Sequence, residues 1–153
     1  MQILHRLLAS LDTHLLPAPT LVSAHCDLPC GVYDPAQARI EAESVKAIQE
    51  RYQNAAKAKS ATETVEEYQQ RALQIKEERA NLVKEHLWVL WTDYFKPEHK
   101  ERYPQLHDLF WSATKEAGLA KKSQDPAQGQ KLLDFISEID DIFWETKGGK
   151  PAK

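Results

Sequence analysis

Glycine and methionine are scarce in this 153-residue chain, with five of one and one of the other, and aromatic residues make up only 8%. Such a composition excludes collagen-like and glycine-rich low-complexity chains. No apolar run approaches the roughly 18 residues that a membrane-spanning helix needs, so no membrane partner is expected. Basic residues are not in excess: 20 Lys and Arg stand against 23 Asp and Glu, a formal net charge of -3. A nucleic-acid binder that relies on a broad basic surface is therefore not expected. Runs of alternating β-branched residues are also missing, which argues against a sheet. Cysteine occurs twice, as Cys26 and Cys30. Two thiols are too few for a disulfide-built secreted scaffold, so their closeness needs another explanation. What is abundant is helix-forming: Ala, Glu, Lys, Leu and Gln, with 42% hydrophobic and 28% charged residues overall. A chain of this length holds one domain with a real core.

Residues 1–24, MQILHRLLASLDTHLLPAPTLVSA, differ from the rest. Val22-Ser23-Ala24 would suit a signal-peptidase site, but His5, Arg6, Asp12 and His14 interrupt the apolar stretch that an export signal requires. The segment reads as a short amphipathic helix with a flexible tail, a pro-segment more than an export signal. A cytoplasmic location follows as the expectation.

Four later segments carry helical grammar. Asp34-Pro35 predicts an N-cap with proline at the first helical position. The helix it opens has inward candidates Ala38, Glu41, Val45, Ile48 and Tyr52, spaced three and four apart. The polar Ala/Lys stretch from Ala55 to Ala61 breaks the pattern. A long second helix is predicted with the stripe Val65, Tyr68, Ala72, Ile75, Arg79, Leu82, His86 and Val89, ending before Lys96-Pro97. Tyr103-Pro104 leads into a third, with Leu106, Leu109, Phe110 and Ala113 inward. Asp125-Pro126 opens a fourth, with Leu132, Ile136, Ile139 and Phe143, and the tail GGKPAK is expected to fray. The fold class expected is all-α, an antiparallel four-helix bundle.

The chemistry concentrates in the loop His25-Cys26-Asp27-Leu28-Pro29-Cys30-Gly31-Val32-Tyr33. Two soft thiols and an imidazole within six residues form a compact candidate site for a transition metal. Spacing alone leaves open a pair of ordinary thiols beside an unrelated histidine. A structural zinc site takes four ligands, and this loop offers three side chains. The shortfall disappears if the chain begins at His25. Its α-amine then becomes a donor, and the Cys26 backbone amide another once deprotonated. Amine, amide and two thiolates make a square N2S2 plane, which suits nickel or copper better than zinc. The His25 imidazole could then approach axially.

The run HCDLPCGVY followed by DPAQARIEAESVKAIQE closely resembles the start of the mature nickel superoxide dismutases. So do IKEERANLVKEHLWVLWTDYFKP, YPQLH and the final FWETK, and the likeness extends from His25 to about Lys147. The resemblance implies an N-terminal metal-binding hook over residues 25–33 on a four-helix-bundle domain spanning 25–153. It implies one nickel ion per subunit and dismutation of superoxide to dioxygen and hydrogen peroxide, with the metal alternating between Ni(II) and Ni(III). It further implies a homohexamer, and a leader, here residues 1–24, cut off by a dedicated peptidase.

Residue by residue, the resemblance implies that His25 gives its α-amine and imidazole, Cys26 its amide nitrogen and thiolate, and Cys30 a second thiolate. Asp27 and Pro29 shape the hook, with a cis bond at Leu28-Pro29. Tyr33 stands over the open face of the metal as a gate for superoxide and ordered water, and Tyr94 of WTDYF supports it. Glu41 and Arg79 orient the His25 imidazole. Periodicity points the same way for this last pair, since each interrupts an apolar stripe and a buried charge needs a partner. Charged residues are usually exposed, so a misphased stripe is the competing explanation. The substrate is a small anion, so a local positive field should help it arrive, and Lys96 is a candidate for part of that field.

Other conspicuous residues read as structural. Trp88, Trp91, Trp111 and Trp144 should pack in the core or at subunit contacts. His86 with Glu85 and Glu78 does not match the Glu-x-x-His spacing of a di-metal bundle. His99 and His107 lie near turns and are expected to be solvated. Two further functions compete with the dismutase: a metal-free thiol redox protein using Cys26 and Cys30, and a helical module that binds nickel without turnover. The first should be active with its leader still attached.

Overall fold

A computed structural model describes residues 32–150. The leader, the hook ligands His25, Cys26 and Cys30, and Asp27, Pro29 and the Leu28-Pro29 bond lie outside the described residues. The elements are α1 (Ala36–Gln53), α2 (Ala55–Ala58), α3 (Val65–Val89), a π turn (Leu90–Tyr94), α4 (Pro97–Arg102), α5 (Leu106–Lys122) and α6 (Pro126–Thr146). No strand occurs among the described residues. None of their helices is long and apolar enough to cross a membrane.

The helix starts follow local chemistry. Asp34 Oδ1 accepts the Ala36 amide at 2.8 Å while Pro35 already has helical dihedrals, so the Asp-Pro signal opens α1 as expected. Thr64 caps α3 with a reciprocal pair of bonds: its Oγ1 accepts the Glu67 amide at 3.1 Å, and Glu67 Oε2 accepts the Thr64 amide at 2.8 Å. That is the capping box, and the Thr64 amide and hydroxyl, both donating to Glu67 Oε2, hold the Glu67 carboxyl below its usual pKa. Asp125 Oδ1 accepts the Ala127 amide at 2.9 Å, and Pro126 follows it.

The four long helices form an antiparallel bundle. Helix α1 packs on α3 and α6, and α5 packs on the same two. Gln49, late in α1, donates to Ala120 O and Ser123 O at the end of α5. Lys46 of α1 reaches Gln130 at the start of α6. Tyr94, after α3, meets Thr146 at the end of α6. Helices α1 and α5 therefore run one way and α3 and α6 the other. The core between them holds Val45, Val83, Leu87, Leu106, Phe110, Leu132, Ile136, Ile139 and Phe143, with Ala38, Ala42, Ala80, Ala113 and Ala117 where backbones come close. Gly129 marks the closest approach: a Cβ there would lie 2.8 Å from the Lys46 Cα and 2.5 Å from Gln49 Oε1.

Every inward candidate assigned to α5 and α6 is buried, and their registers are as expected. In α3 the buried residues are Ala72, Lys76, Ala80, Val83 and Leu87. The expected stripe was therefore one residue out of phase from Ile75 onward. Arg79, Leu82 and His86 sit on its half-buried flank, and Ile75 is exposed. Lys76 takes the inward place that the expected stripe gave to Ile75. Its side chain is buried, and its ammonium donates to Ser123 O and Gln124 Oε1, which ties α3 to the turn between α5 and α6. Burial lowers its pKa. In α1 a similar offset makes Ala42 and Gln49 buried, while Glu41, Ile48 and Tyr52 flank them. The tail is less loose than expected at Lys150, which pairs with Asp140 at 2.6 Å.

Candidate functional site

Four of the expected site residues, Tyr33, Glu41, Arg79 and Tyr94, lie in the described region, and they form two pairs. Tyr33 and Tyr94 are partly buried against the core with ring centroids 5.7 Å apart and planes inclined at 53°. Tyr33 enters just before α1, and Tyr94 ends the π turn after α3. The turn matters because its wider winding is followed by extended backbone at Phe95, and π turns recur where helices are adapted to function.

The Tyr94 ring is fixed from several sides. It packs on Phe143 at 4.5 Å, stands edge-on to Phe95 at 5.0 Å and stacks on His99 at 5.7 Å. Its hydroxyl lies 2.6 Å from Thr146 Oγ1, and that Oγ1 donates to Phe143 O at 2.6 Å. A threonine hydroxyl has one proton. Since Thr146 gives its proton to Phe143 O, Tyr94 must donate to Thr146, and the Tyr94 oxygen keeps only acceptor capacity. His99 is thus not the solvated residue expected; it is half-buried, stacked, and its Nδ1 accepts the Lys96 amide at 3.2 Å. Lys96 itself is exposed.

Glu41 and Arg79 join α1 to α3. Arg79 Nη1 lies 3.4 Å from Glu41 Oε1 and 3.3 Å from Oε2, and Arg79 Nη2 is 3.9 Å from Glu78. The two residues expected to pair do pair. They do so on the flank of the bundle, with side chains 15% and 35% exposed, instead of on fully buried faces.

Sequence reasoning missed three members of this neighbourhood: Thr146, His99 and Lys147. Lys147 Nζ stands 5.4 Å from the Tyr94 ring centroid and 5.1 Å from that of Phe143. The available signal was FWETK, where a threonine and a lysine end α6 one turn after an aromatic pair.

Among the described residues, no three His, Cys, Asp or Glu are grouped to hold a metal. The donors His25, Cys26 and Cys30 lie outside them, and the test of fit is their chemistry. Two thiols and an imidazole are soft to borderline donors that suit nickel, copper or zinc and do not suit magnesium or calcium.

A second feature is an apolar groove of about 170 Å³ lined by Trp88, Trp91, His107, Phe110, Trp111 and Thr114. Trp91 and Trp144 pack against the core as expected, but Trp88 and Trp111 are 52% and 59% exposed.

Comparison with known proteins gives a consistent result. The family described as nickel-containing superoxide dismutase matches residues 20–147. A Superoxide dismutase [Ni] of Streptomyces seoulensis is 64% identical over 126 residues, covering 82% of this chain and 90% of the relative. A Superoxide dismutase [Ni] of Streptomyces coelicolor is 58% identical over 135 residues, covering 88% of this chain and 97% of the relative. A crystal structure of a Ni-containing superoxide dismutase, with Ni ligation corresponding to the oxidized state, is 62% identical with a TM-score of 0.73. It covers 82% of this chain and 100% of its own. A native nickel superoxide dismutase structure is 58% identical with a TM-score of 0.72 over the same shares.

Proposed function

The chain belongs to the nickel-containing superoxide dismutase family, and from that premise we propose how its residues divide the work. It is a nickel-dependent oxidoreductase that converts two superoxide anions and two protons to dioxygen and hydrogen peroxide. The observation that carries the residue assignment is the donor set His25, Cys26 and Cys30 in HCDLPCGVY, inside the matched span.

His25 holds the metal through its α-amine and imidazole, Cys26 through its amide nitrogen and thiolate, and Cys30 through its thiolate. Asp27 and Pro29 give the loop its shape. Bound by these donors, nickel supplies the one-electron couple between Ni(II) and Ni(III) that dismutation requires, and the thiolate and amidate electron density favours the higher state. Arg79 holds Glu41 in place, and Glu41 orients the His25 imidazole, the usual task of a carboxylate behind a ligating histidine. Tyr33 admits superoxide and ordered water. Tyr94 positions Tyr33 and accepts hydrogen bonds; because its own proton is committed to Thr146, it does not deliver a proton without breaking that bond.

Residues 1–24 form a leader that a dedicated peptidase removes in the cytoplasm, which frees the His25 amine. The working form is a homo-oligomer, a hexamer as the family resemblance implies. Two half-exposed tryptophans beside an apolar groove support a contact between copies there, because tryptophan is enriched at such contacts.

Replacing Cys26 or Cys30 by Ser tests the donor set. Either change should abolish nickel retention and superoxide decay while the far-ultraviolet circular dichroism stays helical. A fully active serine variant would overturn the assignment.

A further inference from the structure

We propose that Thr146 is a positioning residue for the Tyr33–Tyr94 pair. It takes the proton of the Tyr94 hydroxyl, so that Tyr94 meets superoxide and its product as a hydrogen-bond acceptor and not as a donor. The inference rests on the reading of the two tyrosines as the guard of the metal's open face, and adds to it the residue that sets the polarity of that guard.

Position is the first support. Thr146 is the last residue of α6, and its Oγ1 lies 2.6 Å from the Tyr94 hydroxyl and 2.6 Å from Phe143 O. Threonine in a helix commonly turns its hydroxyl back to the carbonyl three or four residues earlier. Phe143 O has room for it. Its other donor is the Lys147 amide, at a long 3.3 Å and shared with Trp144 O at 3.1 Å, and a carbonyl accepts two bonds. Both hydroxyl bonds lie between partly buried groups, where they are stronger than in water. The Tyr94 ring is held to this arrangement by Phe143, Phe95 and His99. The His99 ring is pinned in turn, because its Nδ1 accepts the Lys96 amide.

The count of protons is the second. Phe143 O can only accept, so the Thr146 proton goes to it. Two oxygens 2.6 Å apart with no proton between them would repel, so Tyr94 supplies the proton of that bond. A tyrosine hydroxyl has one proton, and lone pairs are what the Tyr94 oxygen keeps beside Tyr33, whose ring centroid is 5.7 Å from its own. The chain from Tyr94 through Thr146 ends at a carbonyl, which has no proton to pass on, so it brings none in from solvent. Superoxide is an anion that accepts hydrogen bonds, and such an oxygen does not hold it. Water and hydrogen peroxide donate, and are held. Thr146 thereby keeps the guard from gripping the anion in its ground state, a binding that lowers KM without speeding the reaction.

The test has a structural arm and a kinetic arm. The first uses the intact 153-residue chain with ring-labelled tyrosine. The infrared C–O stretch of a phenol differs between donating and accepting hydroxyls, and the Tyr94 band is assigned by its loss in Tyr94→Phe. Wild type and Thr146→Ser should share the donor band. Thr146→Val, which keeps the shape and removes the hydroxyl, should shift it, and so should Thr146→Ala. The second arm uses the nickel-loaded enzyme beginning at His25. There Thr146→Val releases the Tyr94 proton to the anion, and kcat and KM should fall together about three- to tenfold, the scale of one hydrogen bond to a charged group in a partly solvated site. Bound nickel, the electron-spin spectrum and helical content should stay unchanged, and Thr146→Ser should restore both constants. In a Tyr94→Phe background Thr146→Val should add nothing, because its effect passes through the Tyr94 hydroxyl. An unmoved Tyr94 band in both Thr146→Val and Thr146→Ala would overturn the inference. So would a kinetic loss that persists in the Tyr94→Phe background or that serine does not restore, since either would make Thr146 a packing residue. Tyr33→Phe and Tyr94→Phe separate the two layers. If both tyrosine variants keep wild-type kinetics, the guard reading falls and the inference with it. If they alter kinetics and Thr146→Val does not, only the inference falls.

Discussion

Glu41 illustrates how much one residue's surroundings decide. Its carboxylate is held by Arg79 across the α1–α3 contact at 3.3–3.4 Å, and the Arg79 side chain is 35% exposed. A partly solvated pair with long bonds contributes about 1 kcal/mol or less to stability. That is well below the roughly 3–5 kcal/mol of a broken buried pair, which the inward phase read from sequence would have implied. Glu41→Gln should therefore leave the melting temperature within a few degrees of wild type. If Glu41 orients the His25 imidazole as proposed, the substitution should also weaken the imidazole nitrogen coupling in the electron-spin spectrum of the oxidised nickel enzyme. An unchanged imidazole nitrogen signal would show that Glu41 does not act on His25. The Glu41–Arg79 partnership was legible through the family resemblance and not through periodicity, since Ala42 and Ala80 hold the inward positions and the two polar intrusions belonged to a misphased stripe. The depth of the pair was not, because a period of 3.6 residues tolerates a one-residue error in phase. Lys147 was not legible as a site residue, since a lysine ending a helix is ordinary until its distance to an aromatic ring is known.

At the scale of helices, the registers of α5 and α6 were readable and those of α1 and α3 were not, although α5 too buries a charged residue, Glu116. Helices α5 and α6 carry Leu106, Phe110, Leu132 and Ile136 inward as expected. Helix α3 buries Lys76, and α1 buries Gln49. Both polar side chains reach the same α5–α6 turn, Lys76 at Ser123 O and Gln124, Gln49 at Ala120 O and Ser123 O. No local pattern announces a partner some 47 to 74 residues away. Gly129 belongs to the same region and gives a sharp test. Ala is about 1 kcal/mol better than Gly in a helix, so propensity alone makes Gly129→Ala stabilising. The added methyl, however, would meet the Lys46 backbone at 2.8 Å, and backbone cannot rotate away. Overpacking of this kind costs about 1–3 kcal/mol. The expected outcome of thermal unfolding followed by circular dichroism is a melting temperature lowered by several degrees. A raised one would mean that α1 and α6 separate easily.

For the molecule as a whole, the bundle leaves Trp88 and Trp111 half-exposed beside the groove with His107 and Phe110. An exposed aromatic patch of this kind suits a contact with another chain, and the proposed homo-oligomer would supply one. If copies of the chain meet there, as proposed above, Trp111→Glu should bury a carboxylate in that contact and shift the mass measured by light scattering below that of wild type, with helical content retained. An unchanged mass would place the contact elsewhere. Sequence identified these tryptophans only as core or contact residues, because a helix face cannot reveal whether its cover is the same chain or another.

The central claim is that the His25 amine is a nickel donor and that the leader withholds it. With Ala24 attached, the His25 nitrogen is a peptide nitrogen. Once cut, it is an amine of pKa about 7.7–8.0 with an available lone pair. The direct measurement compares the intact 153-residue chain with a chain beginning at His25, both prepared with nickel, for bound metal and superoxide decay per chain. The intact chain should fold as the same helical bundle yet hold little nickel and show negligible activity, while the cut chain gains stoichiometric nickel and dismutation. Equal nickel and equal activity in the two forms, with mass spectrometry proving the leader intact, would contradict it.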